Sequence, residues 1–333
     1  MEGEQVMKAV LCKAYGPPES LVVEDVPTPK VGPKEVRIAV HAAGLNFPDT
    51  LIITGKYQFK PPFPFSPGME VGGVVQEVGA EVKTVQPGDR VMASTGTGAF
   101  AEEAVAPAQS VYRIPDNMDF AAAAAFPVTY GTTYHALIDR GHLKAGEWLL
   151  VHGAGGGVGI TAVEMGKLLG AKVIATAGSA EKLAIAKQYG ADHLINYSTE
   201  KVRDRVKEIT GDKGADVIYD PVGGDVFDES LRCIAWEGRL LVIGFAAGRI
   251  PAAPANLILL KGCEVVGVFW GSFAARNPDI SRKNFEVMLK WAAEGKLKPH
   301  VSARFPLDQV PQAMNALLAR KVTGKAVIAV RQG

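Results

Sequence analysis

Short apolar segments, divided by turn-forming residues, characterise the chain from residue 6 to about residue 125. Examples are the segments VEDVPTPKVGPKEVRIAVHAAG and MEVGGVVQEVGAEVKTVQPGDRVMA. Such segments are typical of short strands, and no helical period is sustained here. Pro87-Gly88-Asp89 has the composition of a tight turn between two strands. We therefore predict an antiparallel barrel for this part of the chain.

From about residue 126 to residue 268 the pattern changes, because apolar strands now alternate with helical segments. The strand candidates are EWLLVHG, AKVIATAG, HLINY, ADVIYDPVG, GRLLVIGF and CEVVGVFW, and the helical segments include GITAVEMGKLLG, EKLAIAKQYG and KVRDRVKEITG. This alternation predicts an α/β fold with a doubly wound parallel sheet and helices on both of its faces.

The last part of the chain returns to the first domain. Two amphipathic helices and a final strand follow residue 270, in the segments NFEVMLKWAAEG, VPQAMNALLAR and GKAVIAV. We expect one domain from residues 1–125 and 270–333, with residues 126–269 inserted as a second. The length of 333 residues agrees with two domains, since single cores rarely grow past about 250–300 residues.

Composition narrows the class of protein. The apolar fraction of 47% and charged fraction of 21% are those of a soluble globular protein. A net charge of +1 without a basic stripe argues against a nucleic-acid partner. The apolar run Phe120–Phe126 is too short to span a bilayer, and Met1–Gln5 is polar and unlike a signal peptide. Cys12, Cys233 and Cys263 are isolated, which predicts a cytoplasmic protein without disulfides.

A glycine-rich turn stands between the first strand and the first helix of the inserted domain, in EWLLVHGAGGGVGI. Ala154, Gly156 and Gly159 have the spacing of the dinucleotide-binding motif, with Gly157 and Val158 between them. The first small residue allows a tight turn, the second lets backbone approach a pyrophosphate, and the third lets the helix pack on the sheet. The N–H groups at the start of the helix then face the phosphates. We predict a dinucleotide cofactor.

The end of the second strand favours NADPH over NADH. NAD-binding folds place a carboxylate there for the ribose 2′-hydroxyl, whereas this strand ends in Ala-Gly-Ser. Ser179 and Lys182 are suited to a 2′-phosphate, and Tyr197, at the end of the third strand, is placed to flank the adenine ribose. The alternative is that Ser179 only caps the next helix and Lys182 is solvated. Glu181 lies nearby and weakens the distinction.

Other catalytic motifs are absent from the sequence. It contains no P-loop, no H-E-x-x-H and no G-x-S-x-G. Tyr197 and Lys201 match the Tyr-x-x-x-Lys pair of short-chain reductases, but that pair lies on a long helix and Tyr197 ends a strand. We interpret the match as chance.

The order of the parts resembles the medium-chain dehydrogenase/reductase superfamily over almost the whole chain, and most closely its zinc-free quinone oxidoreductase branch, the zeta-crystallin type. The main pointer is the segment AGLNFPD, residues 43–49. The resemblance implies a GroES-like β-barrel catalytic domain and a Rossmann NADP-binding domain. In zinc alcohol dehydrogenases a cysteine ligand takes the place of Asn46 and a histidine that of Met69. The four-cysteine lobe expected after Asp89-Arg90-Val91 is missing.

Residue chemistry agrees with the absence of zinc. The three cysteines lack ligand spacing, and the histidines are scattered, at His41, His135, His142, His152, His193 and His300. Without a Lewis acid an enzyme poorly stabilises the alkoxide formed from an alcohol. Reduction of a quinone or an enone, whose products tolerate negative charge, demands less.

The resemblance also nominates residues in the first domain. Asn46 and Asp49 match positions near the nicotinamide and its ribose, and Tyr57 matches a tyrosine that faces the substrate. Asn46 and Tyr57 are therefore the candidate catalytic donors. The alternatives are that Asn46 only forms the turn before a helix and that Tyr57 only fills the barrel surface. Glu70 is expected to be structural, held by a buried hydrogen bond.

Further cofactor contacts are expected from the remaining elements. Thr129 heads the helix that leads into the second domain, and Lys325, on the last strand, either contacts the cofactor or is exposed. Gly244-Phe245 and Phe269-Trp270 end the fifth and sixth strands, at the edge where ligands bind in such sheets. Trp270 is a candidate wall of the substrate pocket, and the alternative for both pairs is simple packing.

We therefore expect a cytoplasmic NADPH-dependent oxidoreductase that reduces quinones or α,β-unsaturated carbonyl compounds, with a small-molecule substrate and no nucleic-acid or membrane partner. The resemblance implies a homodimer through the edge strand CEVVGVFW. Two alternatives stay open, an enoyl-thioester reductase and a non-catalytic NADPH-binding protein.

Overall fold

The computed structural model describes residues 5–331. Within these residues the strands are β1 (Val6–Leu11), β2 (Val22–Pro27), β3 (Glu35–Leu45), β4 (Glu70–Val78), β5 (Arg90–Ser94), β6 (Glu103–Pro107), β7 (Val111–Arg113), β8 (Trp148–Val151), β9 (Lys172–Ala177), β10 (His193–Asn196), β11 (Ala215–Asp220), β12 (Ile234–Val242), β13 (Glu264–Gly267), β14 (Val301–Pro306) and β15 (Lys325–Ala329). The α-helices are α1 (Phe47–Ile53), α2 (Phe120–Ala124), α3 (Pro127–Tyr134), α4 (Gly157–Leu168), α5 (Ala180–Gln188), α6 (Val202–Thr210), α7 (Gly224–Cys233), α8 (Ala255–Lys261), α9 (Trp270–Arg276), α10 (Pro278–Ala293) and α11 (Val310–Leu318).

The chain divides into two compact units. The second unit is Thr129–Asn277, and the first takes in the described residues before and after it. The sequence placed the inserted domain at residues 126–269, so the unit seen in the structure reaches further towards the C-terminus. The physical reason lies in α9, because the His135 ring stacks on Phe273 of that helix with 3.9 Å between centroids.

The first unit is built on a largely antiparallel sheet with the strand order β14-β15-β3-β4-β5-β7, and β6 also pairs with β3. Only β14 and β15 run parallel to one another among these neighbours. On β3, Val36, Ile38 and Val40 point into one apolar core that α1 and α11 share. Gly88, with φ of 90°, lies in the predicted turn between β4 and β5, where a residue with a side chain would be strained.

The second unit is built on a parallel sheet with the order β10-β9-β8-β11-β12-β13. All of its pairs are parallel. This is the 3-2-1-4-5-6 order of a dinucleotide fold, in which the strand order reverses beside the first strand. Leu149, Leu150 and Val151 of β8 are fully buried, as expected for a strand covered by helices on both faces. The predicted doubly wound sheet is confirmed.

No helix within residues 5–331 is both long enough and apolar enough to span a membrane.

Candidate functional site

The glycine turn of the second unit joins β8 to α4, and its glycines differ in what surrounds them. A Cβ placed on Gly159 would lie 2.1 Å from the Gly153 carbonyl oxygen, so this glycine is required for the turn to pack against the helix. A Cβ on Gly156 would meet nothing closer than that same oxygen, at 3.4 Å. The protein itself therefore leaves room beside Gly156, as a close ligand approach requires.

The same turn presents a helix N-terminus. Gly156 is the N-cap of α4, with extended backbone at φ −91° and ψ 172°. The N–H groups that follow, on Gly157 and Val158, are first-turn groups without an intrahelical acceptor. Ala154 is buried, and its N–H donates to the Thr176 carbonyl oxygen at 2.9 Å, which ties the turn to β9. Such a turn can hold a phosphate group.

Three side chains gather at the end of β9. Ser179 is the N-cap of α5, and its Oγ accepts from the Lys182 N–H at 3.4 Å. A Cβ on Gly155 would lie 2.6 Å from Lys182 Cβ, so the lysine methylenes lie directly on the glycine turn. A Cβ on Gly178 would lie 2.9 Å from the Tyr197 hydroxyl oxygen.

Ser179 thus caps the next helix, which was the alternative given for it from the sequence. Lys182 is half-buried rather than freely solvated, and Tyr197 is 37% exposed. The structure brings all three residues together at the edge where the glycine turn also lies.

A second loop at this edge was not identified from the sequence. Asp220, at the end of β11, is 1% exposed. Its Oδ1 accepts from Val222 N–H at 2.8 Å and from Gly223 N–H at 2.9 Å. Gly223 and Gly224 have φ of 66° and 59°, which favour glycine. The run DPVGG, whose first four residues end the predicted strand ADVIYDPVG, was the signal that could have revealed it.

The nominated residues after β12 and β13 lie at the same sheet edge. A Cβ on Gly223 would lie 3.0 Å from Phe245 Cδ1, and one on Gly244 would lie 3.3 Å from the Pro221 carbonyl oxygen. Both Gly244 and Phe245 therefore pack on the loop that follows β11. Phe269 is 55% exposed.

Trp270, the candidate pocket wall, begins α9 and packs within the second unit. A Cβ on Gly131 of α3 would lie 2.5 Å from the Trp270 ring. Thr129, on the same helix, is 2% exposed. The packing role weighed for Trp270 is therefore present in the structure.

The first unit buries a group of charged and polar side chains, Asn46, Asp49, Glu70 and Lys325, which we call the Glu70 cluster. Lys325 Nζ donates to the Leu45 carbonyl oxygen at 2.7 Å, to Asn46 Oδ1 at 2.7 Å and to Glu70 Oε1 at 2.8 Å. Asn46 Nδ2 donates to the same Glu70 Oε1 at 2.7 Å. The other oxygen, Glu70 Oε2, accepts from the Val128 N–H at 2.8 Å.

These contacts bear on two of the residues named from the sequence. Lys325 is 5% exposed, so the alternative that it is merely exposed is wrong. Its three ammonium hydrogens match three acceptors, which leaves no donor for a cofactor phosphate. The Asn46 amide also faces the protein, because Nδ2 is bonded to Glu70 and lies 3.5 Å from the Gly44 carbonyl oxygen. The structural role expected for Glu70 agrees with this geometry.

Asp49 is the least satisfied member of the cluster. Its Oδ2 accepts from the Asn46 N–H at 2.7 Å at the start of α1, while no group meets hydrogen-bond geometry at Oδ1. Burial raises the pKa of Asp49 to about 7, and the charge of Glu70 also raises it, whereas the N–H groups of Asn46 and Gly68 and the charge of Lys325 lower it. Asp49 is therefore partly protonated near neutral pH.

Tyr57, the other nominated donor, is half-buried against the apolar core of the first unit. Burial raises the pKa of the Tyr57 phenol, and the charge of Asp49 raises it further. The phenol therefore stays protonated at neutral pH and can donate a hydrogen bond.

Comparison with known proteins identifies both units. Residues 32–116 match the alcohol dehydrogenase GroES-like domain, and residues 157–294 match the zinc-binding dehydrogenase domain. The quinone oxidoreductase-like protein 2 homolog of Nematostella vectensis is 44% identical, over 99% of this chain and 91% of that protein.

Solved structures of similar proteins support the same identification. The quinone oxidoreductase of Pseudomonas syringae pv. Tomato DC3000 has a TM-score of 0.91 and 34% identity, over 97% of this chain and all of that one. The Escherichia coli quinone oxidoreductase complexed with NADPH has a TM-score of 0.90 and 30% identity, with the same coverage.

The chain therefore belongs to the medium-chain dehydrogenase/reductase family of oxidoreductases. Within that family it lies in the quinone oxidoreductase branch. The predicted GroES-like domain and Rossmann sheet are confirmed.

The domain matched by residues 157–294 is described as a zinc-binding dehydrogenase. In related zinc enzymes the ligands take the places of Asn46 and Met69, beside Glu70 in the other matched domain, and the residues around Glu70 in this chain do not fit that metal. Asn46 Nδ2 and Lys325 Nζ both donate to Glu70 Oε1, and neither group can ligate a cation. In the part of the chain that the structure describes, no group of three or more His, Cys, Asp or Glu side chains is placed to hold a metal.

Proposed function

We propose that the protein is an NADPH-dependent oxidoreductase that reduces quinones or α,β-unsaturated carbonyl compounds without zinc. The observation that carries this proposal is the edge of the parallel sheet, where space beside Gly156 adjoins Ser179, Lys182 and Tyr197. The NADPH complex of the similar Escherichia coli enzyme supports the same cofactor. When bound, NADPH supplies the hydride, and the protein supplies binding and orientation.

In this proposal the N–H groups of Gly157 and Val158 bind the pyrophosphate, and Ser179, Lys182 and Tyr197 bind the adenosine 2′-phosphate end. Phe245 and Phe269, which follow β12 and β13, bind the part of the cofactor nearer the nicotinamide. These assignments extend the family pattern to the sheet edge of this chain.

Tyr57 is the donor that we propose for the acceptor oxygen, in preference to Asn46. The phenol is protonated at neutral pH because burial raises its pKa, whereas the Asn46 amide is held by Glu70. A hydride delivered to a quinone or an enone leaves negative charge on oxygen, and a neutral donor stabilises it without a metal.

Two glycine substitutions test the place of the cofactor. Gly156→Ala should fold normally, since its Cβ has room in the free protein, yet weaken NADPH binding about tenfold or more through a clash with the ligand. Gly159→Ala is the matched control for packing, and should lower the free energy of unfolding by about 1–3 kcal/mol. Unchanged NADPH affinity in Gly156→Ala would exclude a pyrophosphate at this position.

The preference for NADPH rests on Lys182. Lys182→Ala should weaken NADPH about tenfold or more through the loss of a charge-assisted contact, and barely change NADH. Lys187→Ala is the control, because Lys187 lies on the same helix and is exposed. A wild-type enzyme that uses NADH as efficiently as NADPH would show that the assignment of these residues is wrong.

The acceptor and the metal are tested by direct assay. Steady-state rates with quinones, enones, enoyl thioesters and simple alcohols should be highest for the first two classes. Tyr57→Phe should slow enone reduction by about tenfold and quinone reduction less, since a quinone already delocalises the charge.

Elemental analysis should find no stoichiometric zinc, and activity should survive a chelator. One zinc per chain with loss of activity on chelation would contradict the metal-free mechanism.

We also propose a cytoplasmic homodimer in which the β13 edges of two copies meet. β13 is at the end of the parallel sheet, and Leu259 and Leu260 on the preceding helix are 79% and 68% exposed. Exposed leucines beside an edge strand favour an interface. Light scattering should give the mass of two chains, and Leu260→Glu should shift it towards one.

A further inference from the structure

A fully buried histidine directly precedes the glycine turn. His152 follows β8, and its two ring nitrogens have different partners. Nδ1 lies 3.0 Å from Thr176 Oγ1 on β9, and Nε2 lies 2.8 Å from Ser230 Oγ on α7. The ring thus touches the strand on one side of β8 and a helix that follows β11.

The hydroxyl groups determine which nitrogen carries the proton. Ser230 Oγ donates to the Val226 carbonyl oxygen at 2.6 Å, which uses its one hydrogen. Ser230 Oγ must therefore accept from His152 Nε2–H. Burial lowers the pKa of His152, so the ring is neutral and Nδ1 is an acceptor. Thr176 Oγ1 then donates to Nδ1. The donor and the acceptor of each hydrogen bond in this network are thus defined.

This chain of hydrogen bonds joins the segments proposed to bind the cofactor. Thr176 also accepts the Ala154 N–H of the glycine turn through its carbonyl oxygen, at 2.9 Å. Along β9, Thr176 is followed by Ala177 and then by the Gly178-Ser179 turn. The imidazole therefore connects the segment next to the glycine turn with β9, the strand that ends at the proposed 2′-phosphate site.

We propose that His152 is a positioning residue for NADPH, which fixes the glycine turn relative to the end of β9. The inference rests on the proposed cofactor site. NADPH must contact both segments at once, so a small change in their separation weakens its binding. A ligand that contacts only the end of β9, such as 2′-AMP, is insensitive to that separation.

The experiment measures NADPH and 2′-AMP affinities by calorimetry in Thr176→Val and Ser230→Ala. Each substitution removes one hydroxyl group and leaves a side chain of nearly the same volume as the original. We expect each variant to bind NADPH about tenfold more weakly while 2′-AMP affinity stays within about twofold of wild type. At saturating NADPH the kcat should be unchanged and the KM for NADPH raised. His152→Leu removes both bonds and should show the larger loss.

Thr210→Val is the matched control for simple loss of stability. Thr210 Oγ1 donates to the Val206 carbonyl oxygen at 2.8 Å and accepts from the Gly214 N–H at 2.9 Å, before the amino end of β11. It is buried as the tested hydroxyls are, but lies away from the carboxyl edge of the sheet. Thr210→Val should lower the thermal midpoint and leave both affinities unchanged.

The outcomes separate the inference from the function on which it rests. Wild-type protein that binds neither NADPH nor 2′-AMP would overturn the proposed cofactor site. Wild-type binding of both ligands, with equal losses for both in the variants or no loss for either, would overturn the positioning role of His152 alone.

Discussion

The first unit buries an ammonium group and two carboxyl groups in the Glu70 cluster, whereas the second unit buries a neutral imidazole between two hydroxyl groups. Lys325 and Glu70 are 6% and 0% exposed at their side chains, and His152 is 0% exposed. Both networks lie beside residues that we assign to function. They differ in what remains when one partner is removed.

The difference has energetic consequences. A charge that loses its partner inside a protein is left without compensation, which costs several kcal/mol. A neutral donor left without an acceptor costs less, about 1–3 kcal/mol. The cluster in the first unit should therefore dominate stability, and the network around His152 should act mainly through geometry.

The largest effect is expected for Lys325→Met, which removes the ammonium group and keeps an apolar stem. Glu70 would stay buried without its counter-charge, and the free energy of unfolding should fall by about 3–5 kcal/mol in urea denaturation. Lys296→Met is the control, because its ion pair with Glu294 is exposed and is worth less than about 1 kcal/mol.

A second substitution identifies charge as the cause of that loss. Glu70→Gln combined with Lys325→Met should be more stable than Lys325→Met alone, because residue 70 then carries no charge that needs the lysine as its partner. A double variant as unstable as the single one would show that packing, and not charge, is responsible.

Asp49 should give the first unit a pH dependence of up to about 4 kcal/mol. Its pKa is raised from 3.8 to about 7, so the folded protein holds a proton that the unfolded chain releases near pH 4. The free energy of unfolding should fall as the pH rises between these values. Asp49→Asn should remove this fall in denaturation curves at pH 5 and 8. Asp25→Asn, at an exposed position, should keep it.

In the second unit, Ser230→Ala should lower the free energy of unfolding by about 1–3 kcal/mol, since His152 Nε2–H loses its acceptor. Thr199→Val removes an exposed hydroxyl, and its effect should be within about 0.5 kcal/mol. A loss as large as that in Lys325→Met would contradict the contrast between charged and neutral networks.

His152 should give the second unit a pH dependence of opposite sign. Burial lowers the pKa of His152 below 6.5, so the unfolded chain binds a proton that the folded protein resists. The stability of the second unit should therefore be full above pH 6.5 and decrease as the pH falls below it. His152→Gln should flatten this decrease in thermal midpoints measured from pH 7 to pH 5.

The sequence predicted the second unit better than the first, for a physical reason. Strands buried on both faces appear as continuous apolar runs, as in Leu149-Leu150-Val151, and parallel strands alternate with helices along the chain. The antiparallel order of the first unit depends on pairs such as Ala326 with Leu45, which no local pattern reveals.

The candidate site shows the same limit. Asn46, Asp49, Glu70 and Lys325 were each named from the sequence, but their meeting in one cluster was not predicted. Lys325 lies far along the chain from Glu70, and a lysine at the start of a strand gives no sign of burial. His152 was only one scattered histidine, because its partners Thr176 and Ser230 become neighbours only in the folded sheet.

The contact of Lys182 with Gly155 has a consequence for discrimination between cofactors. An exposed lysine loses about 1.5–2 kcal/mol of rotamer freedom when it is immobilised. The methylenes of Lys182 already lie on the glycine turn, where even a Cβ on Gly155 would approach within 2.6 Å of Lys182 Cβ. Much of that conformational entropy is therefore lost during folding and not on binding. In the proposed cofactor site this lysine is preorganised for the 2′-phosphate, and we expect its selectivity to depend on the absence of a side chain at Gly155.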